Sequence, residues 1–244
     1  MHVAYPGQDE AASALRDVSL VVRDGEFVAL LGPTGCGKST LLRIVADLLQ
    51  PTSGSARIWG RSTAEARRAT QLGLVFQEAA LLPWRTALAN VMLPLEVLGV
   101  PAGDRQARAE RLLDSVGLLR SADKLPHELS GGMKQRVSIV RALAWNPPIL
   151  LMDEPFSALD EITKEQLQDD LLAIWQADRK TVLFVTHNLS EAVYLADRVV
   201  VMAANPGRIG KVIDVTLPRP RLPEMRETLP FLDHVRHARA ALRA

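Results

Sequence analysis

The 244-residue chain sets 29 Lys and Arg against 28 Asp and Glu, a formal net charge of +1, with 48% hydrophobic residues. That balance offers no basic field for nucleic acid, and the length suffices for one large core. No apolar run approaches the ~20 residues that span a bilayer, no charged-then-apolar leader is visible, and one cysteine, Cys36, precludes an internal disulfide, so the expectation is a cytosolic protein.

In chain order, "DVSLVV" (17–22), a turn at 23–25 and "EFVALL" (26–31) read as adjacent strands. The glycine-rich "GPTGCGKST" (32–40) follows, and then a helix over 39–49 with apolar residues at helical spacing that stops before Pro51. "GSARIWG" (54–60) and "LGLVFQ" (72–77) read as further strands. Residues 78–147 change to helical periodicity, with "ALANVMLPLEVLG" (87–99), "AGDRQARAERLLDSVGLL" (102–119) and "LSGGMKQRVSIVRAL" (129–143), where two glycines stand directly before a helix. The β/α alternation resumes with "PILLMDE" (148–154), a helix over 164–176, "TVLFVTHN" (181–188), a helix near 189–196 and "RVVVM" (198–202). Residues 216–244 open on "LPRPRLP" and end in an Arg-rich amphipathic helix. Strands separated by helices call for a mainly parallel sheet with right-handed crossovers. The expected fold is one α/β domain over 1–244: a core of about 1–77 and 148–215, a helical lobe of about 78–147, and an extension over 216–244.

Gly32, Gly35, Gly37, Lys38 and Ser39 match G-x-x-x-x-G-K-[ST] between a predicted strand and a predicted helix, the context that gives the pattern its meaning. Glycines let successive backbone N–H groups curl around an anion, and the helix dipole adds positive potential there. Lys38 is expected to reach the β- and γ-phosphates of ATP, and the Ser39 hydroxyl to ligate Mg²⁺. Pro33, Thr34, Cys36 and Thr40 complete the loop. Cys36 lies near a helix N-terminus, which depresses thiol pKa values; the alternative is a small residue that simply fits, and bound ATP is expected to block its alkylation.

"ILLMDEP" (149–155) is an apolar strand ending in two acids, and buried carboxylates need a partner or a metal. Ligands of open parallel sheets gather at that end of the strands. Asp153 is expected to hold Mg²⁺ and Glu154 to polarise the water that attacks the γ-phosphate. "VLFVTHN" (182–188) repeats the geometry and ends a third strand at His187, a γ-phosphate contact.

Together with Gln77 after a strand, "LSGGMKQR" (129–136) and "SALD" (157–160), these motifs resemble the ATP-binding subunit of ABC transporters over nearly the whole chain. The resemblance implies a P-loop NTPase core with a mainly parallel sheet, an antiparallel β subdomain and an inserted helical lobe. It implies a head-to-tail dimer in which Ser130, Gly131 and Gly132 of one copy close on the ATP held by the other's phosphate loop. That accounts for a second anion-binding helix N-terminus in one chain. Gln77 then senses Mg²⁺ and the attacking water, Asp160 couples the two sites, His187 is the switch histidine, and Tyr5 stacks on adenine. Asp47 stands where relatives carry glycine, and Asn188 and Ser190 where acidic residues are common.

The "LLPW" wording in "LLPWRTALANVMLPLE" (81–96) and the tail "NPGRIGKVIDVTLPRPR" (205–221) resemble the nitrate, sulfonate and taurine importer subgroup. The resemblance implies a membrane permease as partner, a solute-binding protein acting through it, no nucleic acid, and a place in the cytoplasm on the inner face of the cell membrane. Trp84 fits either the groove that receives the permease or the core of the helical lobe. The basic helix at 231–243 fits either docking on the domain or contact with membrane or permease. An exporter or lipid-transport ATPase, a soluble ABC ATPase acting on nucleic acid or ribosomes, and a regulatory module without turnover are the rival readings.

Overall fold

The computed structural model describes Val3 and residues 14–157 and 159–243. Strand β1 (Phe27–Leu31) is buried at every position, as a strand covered on both faces must be. It pairs in parallel with β6 (Thr181–Thr186) on one side and β7 (Arg198–Ala203) on the other. β5 (Ile149–Asp153) and β4 (Leu72–Val75) extend the parallel set beyond β6. β8 (Arg208–Asp214) closes the far edge antiparallel to β7, giving the order β4-β5-β6-β1-β7-β8. The register pairs Leu31 with Thr186 and Asp153 with Val185. Gly32, Glu154 and His187 therefore leave the sheet side by side at its carboxyl edge.

Successive residues of β1 point to opposite faces, and the packing follows. Phe27, Ala29 and Leu31 join one cluster with Trp175 and Phe184; Val28 and Leu30 join another with Leu41, Leu42 and Leu183. Trp175 comes from α6 (Glu161–Asp178) and meets Phe27 edge-on at 5.7 Å between centroids. Leu41 and Leu42 come from α1 (Lys38–Val45). A third cluster is made by the apolar faces of α3 (Ala87–Val97), α4 (Ala102–Ser115) and α5 (Gly131–Leu143), with Val91, Leu95, Leu113, Val137 and Val140 buried together.

Two expectations are corrected, and one element is added. Residues 17–22 form no strand: Val18 is buried and Leu20 and Val22 pack inward, so the period-2 pattern is real, but among the described residues no neighbouring strand pairs with it. Within 54–60 only β2 (Arg57–Ile58) is strand, and it folds back on β3 (Arg61–Ser62). Trp59 and Gly60 both take positive φ, 47° and 77°, as a tight primed hairpin turn requires. A helix unread in the sequence, α2 (Thr63–Arg68), starts there on a capping box between Ser62 and Glu65.

The carboxyl-terminal helix α8 (Leu229–Arg243) docks on the domain, burying Phe231, Val235 and Ala238 with α7 (Leu189–Leu195) and β7. The segment before it is clamped by arginines. Arg219 lies 4.4 Å over the Trp175 ring and binds Asp197, and Arg226 lies 3.6 Å over Tyr194 and binds Asp169. Among the described residues no helix is long and apolar enough to cross a membrane.

Candidate active site

At the sheet's carboxyl edge lies an open cleft of about 680 Å³ lined by Thr34, Gly35, Gly37, Lys38, Ser39, Thr40, Gln77, Glu154 and His187, together with Ala14 and Ser157. Three strand ends therefore bring the phosphate loop, the acid pair and the histidine together. Ser157 was already part of the "SALD" stretch, and its hydroxyl donates to Glu154 O at 3.0 Å. Ala14 carries no sequence signal; it arrives because residues 14–16 cross beside the loop. Tyr5 lies outside the described residues.

The loop opens α1 through Gly37, whose φ of 90° is left-handed, and Gly35 is left-handed too at 82°. At Gly35 a side chain would find open space, so conformation alone demands glycine. Gly32 and Gly37 are different: an added Cβ would stand 2.7 Å from Met202 O at Gly32 and 2.7 Å from Ala14 O at Gly37. The protein's own backbone excludes a side chain there. Gly32, Pro33 and Cys36 do not line the cleft. The Cys36 thiol is fully buried beneath the loop, its amide donates to Pro33 O, and burial pushes its pKa up. The helix N-terminus does not win, and the packing supports the reading of Cys36 as a small residue that fits.

Lys38 is 4% exposed and donates to Gly32 O at 2.8 Å and Pro33 O at 3.0 Å. An ammonium has three donors; the third lies 3.9 Å from both Cys36 Sγ and Glu154 Oε1, at the cleft wall. Ser39 Oγ donates to Asp153 Oδ1 at 2.7 Å. Hard oxygen donors of this kind, with the Gln77 amide on the wall, suit Mg²⁺, which takes one or two protein ligands and fills its shell with substrate oxygens and water. Among the described residues no group of three or more His, Cys, Asp or Glu is placed to hold a metal.

Glu154 departs from β5 with φ 44°, a left-handed backbone uncommon for a side chain of this size. Its N–H still donates to Val185 O at 3.0 Å, so the ladder runs one residue further before the chain turns. The carboxylate then meets His187 Nδ1 at 2.8 Å. His187 has firm neighbours. Thr186 Oγ1 donates to Glu191 Oε2 at 2.6 Å, Glu191 lies 3.7 Å from Lys164, and Asn188 caps α7 by accepting from the amides of Ser190 and Glu191. Burial raises the pKa of Glu191. Asn188 thus does the capping that an aspartate would do. Asp47 is accounted for as well: φ is 58°, a conformation glycine and aspartate both tolerate, and its carboxylate accepts from Arg67 and Gln50.

Ser130, Gly131, Gly132 and Asp160 do not line the cleft. Ser130 caps α5 by accepting from Met133 N at 3.3 Å, and Asp160 caps α6 by accepting from Thr163 N at 3.0 Å. Gly131 has room around it, whereas a Cβ on Gly132 would stand 2.5 Å from Thr163 Cγ2, so Gly132 is where α5 and α6 touch. Trp84 is 72% exposed and therefore no part of the helical core.

Residues 15–157 match the ABC transporter family. The chain belongs to that family. The cassette is 48% identical over 221 residues to an uncharacterized ABC transporter ATP-binding protein of Methanocaldococcus jannaschii, covering 91% of this chain and 81% of that one. It is 46% identical to a bicarbonate transport ATP-binding protein of Synechocystis sp. (89% and 77% covered) and 45% identical to a nitrate import ATP-binding protein of Synechococcus elongatus (85% and 76%). Its fold superposes with TM-score 0.78 on a dimeric post-hydrolysis ATP-binding cassette bound to ADP and Pi, at 36% identity and 89% and 97% coverage. The cassette is an ABC-type ATPase of the subgroup that holds the nitrate importers, as its motifs implied.

Proposed function

We propose that the chain powers a membrane importer for nitrate, a sulfonate, taurine or a similar small solute, as a head-to-tail dimer bound to a separate permease on the cytoplasmic face of the membrane. The observation that carries the hydrolytic part is the meeting of Lys38, Glu154 and His187 in one cleft. Lys38 neutralises phosphate charge. Glu154 orients and polarises the attacking water, and His187, aligned by Glu154, hydrogen-bonds the γ-phosphate. Gln77 faces the same water from the wall. Ser39 and Asp153 would hold Mg²⁺, which, when bound, spreads the negative charge of the phosphates. Phosphoryl transfer needs mainly positioning and charge neutralisation, and these residues supply both.

The helix N-terminus at Ser130 and Gly131 lies outside its own cleft, which supports its use by the ATP of a second copy, with Asp160 beside the junction. Residues of about 78–147 would move as a lobe with that copy. An apolar groove of about 450 Å³ between β4 and α3, lined by Leu72, Leu74, Phe76, Pro94, Val97 and Leu98, supports a docking place for the permease. The names of the bicarbonate and nitrate relatives support import of a small anion. The test is to tag Glu154→Gln in a host that makes the permease, solubilise membranes with ATP present, and identify what co-purifies. A polytopic permease is expected; recovery with ribosomes or nucleic acid alone would overturn the transport reading.

A further inference from the structure

The turn between β7 and β8 is built into the phosphate loop through backbone rather than side chains. A Cβ added at Gly207 would fall well inside 3.0 Å of both Ala14 O and Cys36 O, and 3.1 Å from Cys36 C. Neither obstacle is the end of a flexible side chain. Leu15 forms a parallel bridge with Gly207, and Arg16 N donates to Gly207 O at 2.8 Å. A Cβ added at Gly37, on the other side of the same strap, would stand 2.7 Å from Ala14 O and 2.5 Å from Leu15 Cδ2. Three backbones therefore converge: the loop at Cys36–Gly37, the strap at 14–16, and the turn at Gly207. They interlock because Gly37 and Gly207 carry no side chain.

We infer that Gly207 is a positioning residue for nucleotide binding, setting the distance between the phosphate loop and the strap so that Gly37, Lys38 and Ala14 face the cleft together. The inference rests on reading 32–40 as the nucleotide loop. A methyl group at Gly207 has to displace one of the three backbones. The hairpin is the least able to yield, since β7 is paired on both sides within the six-stranded sheet. The displacement is therefore taken up by the loop and the strap. Nucleotide affinity suffers while the sheet stays intact. Gly210, three residues further along β8, provides the internal control, because a Cβ there meets only Val201 O at an ordinary 3.5 Å.

The experiment is equilibrium binding of a fluorescent ATP analogue, with steady-state ATPase rates, on the full chain and on Gly207→Ala, Gly210→Ala and Lys38→Ala. Overpacking against backbone predicts affinity about tenfold or more weaker for Gly207→Ala, with KM raised more than kcat is lowered. Gly210→Ala is expected to stay within roughly twofold of the parent. Binding by Gly207→Ala equal to the parent overturns the inference and leaves the nucleotide reading in place. A parent chain that fails to bind the analogue overturns the nucleotide reading and this inference with it. Should Gly207→Ala fail to fold, hydrogen exchange on the parent decides: adding ATP is expected to slow exchange in 14–17 and 205–210 as well as in 32–40. Protection confined to 32–40 rejects the coupling.

Discussion

His187 Nδ1 stands 2.8 Å from Glu154 Oε2, and the two residues leave different strands. A carboxylate only accepts hydrogen bonds, so this contact places a proton on Nδ1 and turns the imidazole's other nitrogen away from the acid. The pair acts as a unit. Glu154→Gln and His187→Ala are each expected to lower kcat about 100-fold or more, with ATP affinity little changed. The double variant should be scarcely slower than Glu154→Gln alone, since residues acting together are non-additive. Rates that multiply across the two single variants would show independent roles. Glu154→Gln is also expected to accumulate as an ATP-dependent dimer in size-exclusion chromatography.

Ser39 and Asp153 make a different kind of contact, with the hydroxyl turned onto the carboxylate at 2.7 Å. Ser39→Ala removes one oxygen donor and releases Asp153 from its anchor. The Mg²⁺ concentration for half-maximal ATPase activity is expected to rise about 10- to 100-fold. Titration with Mg²⁺ at saturating ATP reads this directly, and an unchanged midpoint would exclude Ser39 from the metal site.

Trp175 supports the sheet from behind. It is fully buried, packs edge-on against Phe27, donates to Lys180 O at 2.7 Å, and lies beneath Arg179 and Arg219. Trp175→Ala is expected to cost about 3–5 kcal/mol in denaturant unfolding, from the cavity and the stranded carbonyl together. Loss of one surface cation–π contact would cost far less, so the magnitude distinguishes a core role from a peripheral one.

Glu191 gives a pH signature. Burial raises its folded pKa above the ordinary glutamate range, so the folded state holds this proton more tightly than the unfolded chain does. The sign follows: its contribution is most favourable below the ordinary glutamate pKa and is lost as pH rises toward the folded value. Glu191→Gln should therefore gain stability relative to the parent as pH climbs through that interval. Denaturant midpoints of the two proteins measured across it test the point; a constant difference would contradict it.

The site was legible because its chemistry demands fixed spacings in short stretches. Gly37, Lys38 and Ser39 must be consecutive, and Asp153, Glu154 and His187 must each follow a buried strand. What surrounds them was harder to read. β8 shows mostly exposed residues, as an antiparallel edge does, and so lacks the apolar pattern that marks β5 and β6. At 17–22 Val18, Leu20 and Val22 alternate and face inward, but a ladder needs a neighbour that the pattern does not name. The box "STAE" at 62–65 announces the start of α2, but six residues are too few to show a helical period. Cys36 stayed open because a helix N-terminus and a buried wall act oppositely on a thiol, and only packing tells which dominates. Gly132 also has a neighbour that no motif announces, Thr163 of α6, which a Cβ there would meet at 2.5 Å.

His187 is flanked by Thr186, whose hydroxyl is tied to Glu191, and Asn188, whose side chain holds two amides of α7. With both flanking residues pinned, the backbone has little freedom to travel. What remains is rotation of the imidazole about its own two torsions. The histidine is mounted as a rotor on a fixed bearing, able to swing toward and away from Glu154 on the fast timescale of side-chain motion, without waiting for a loop to rearrange.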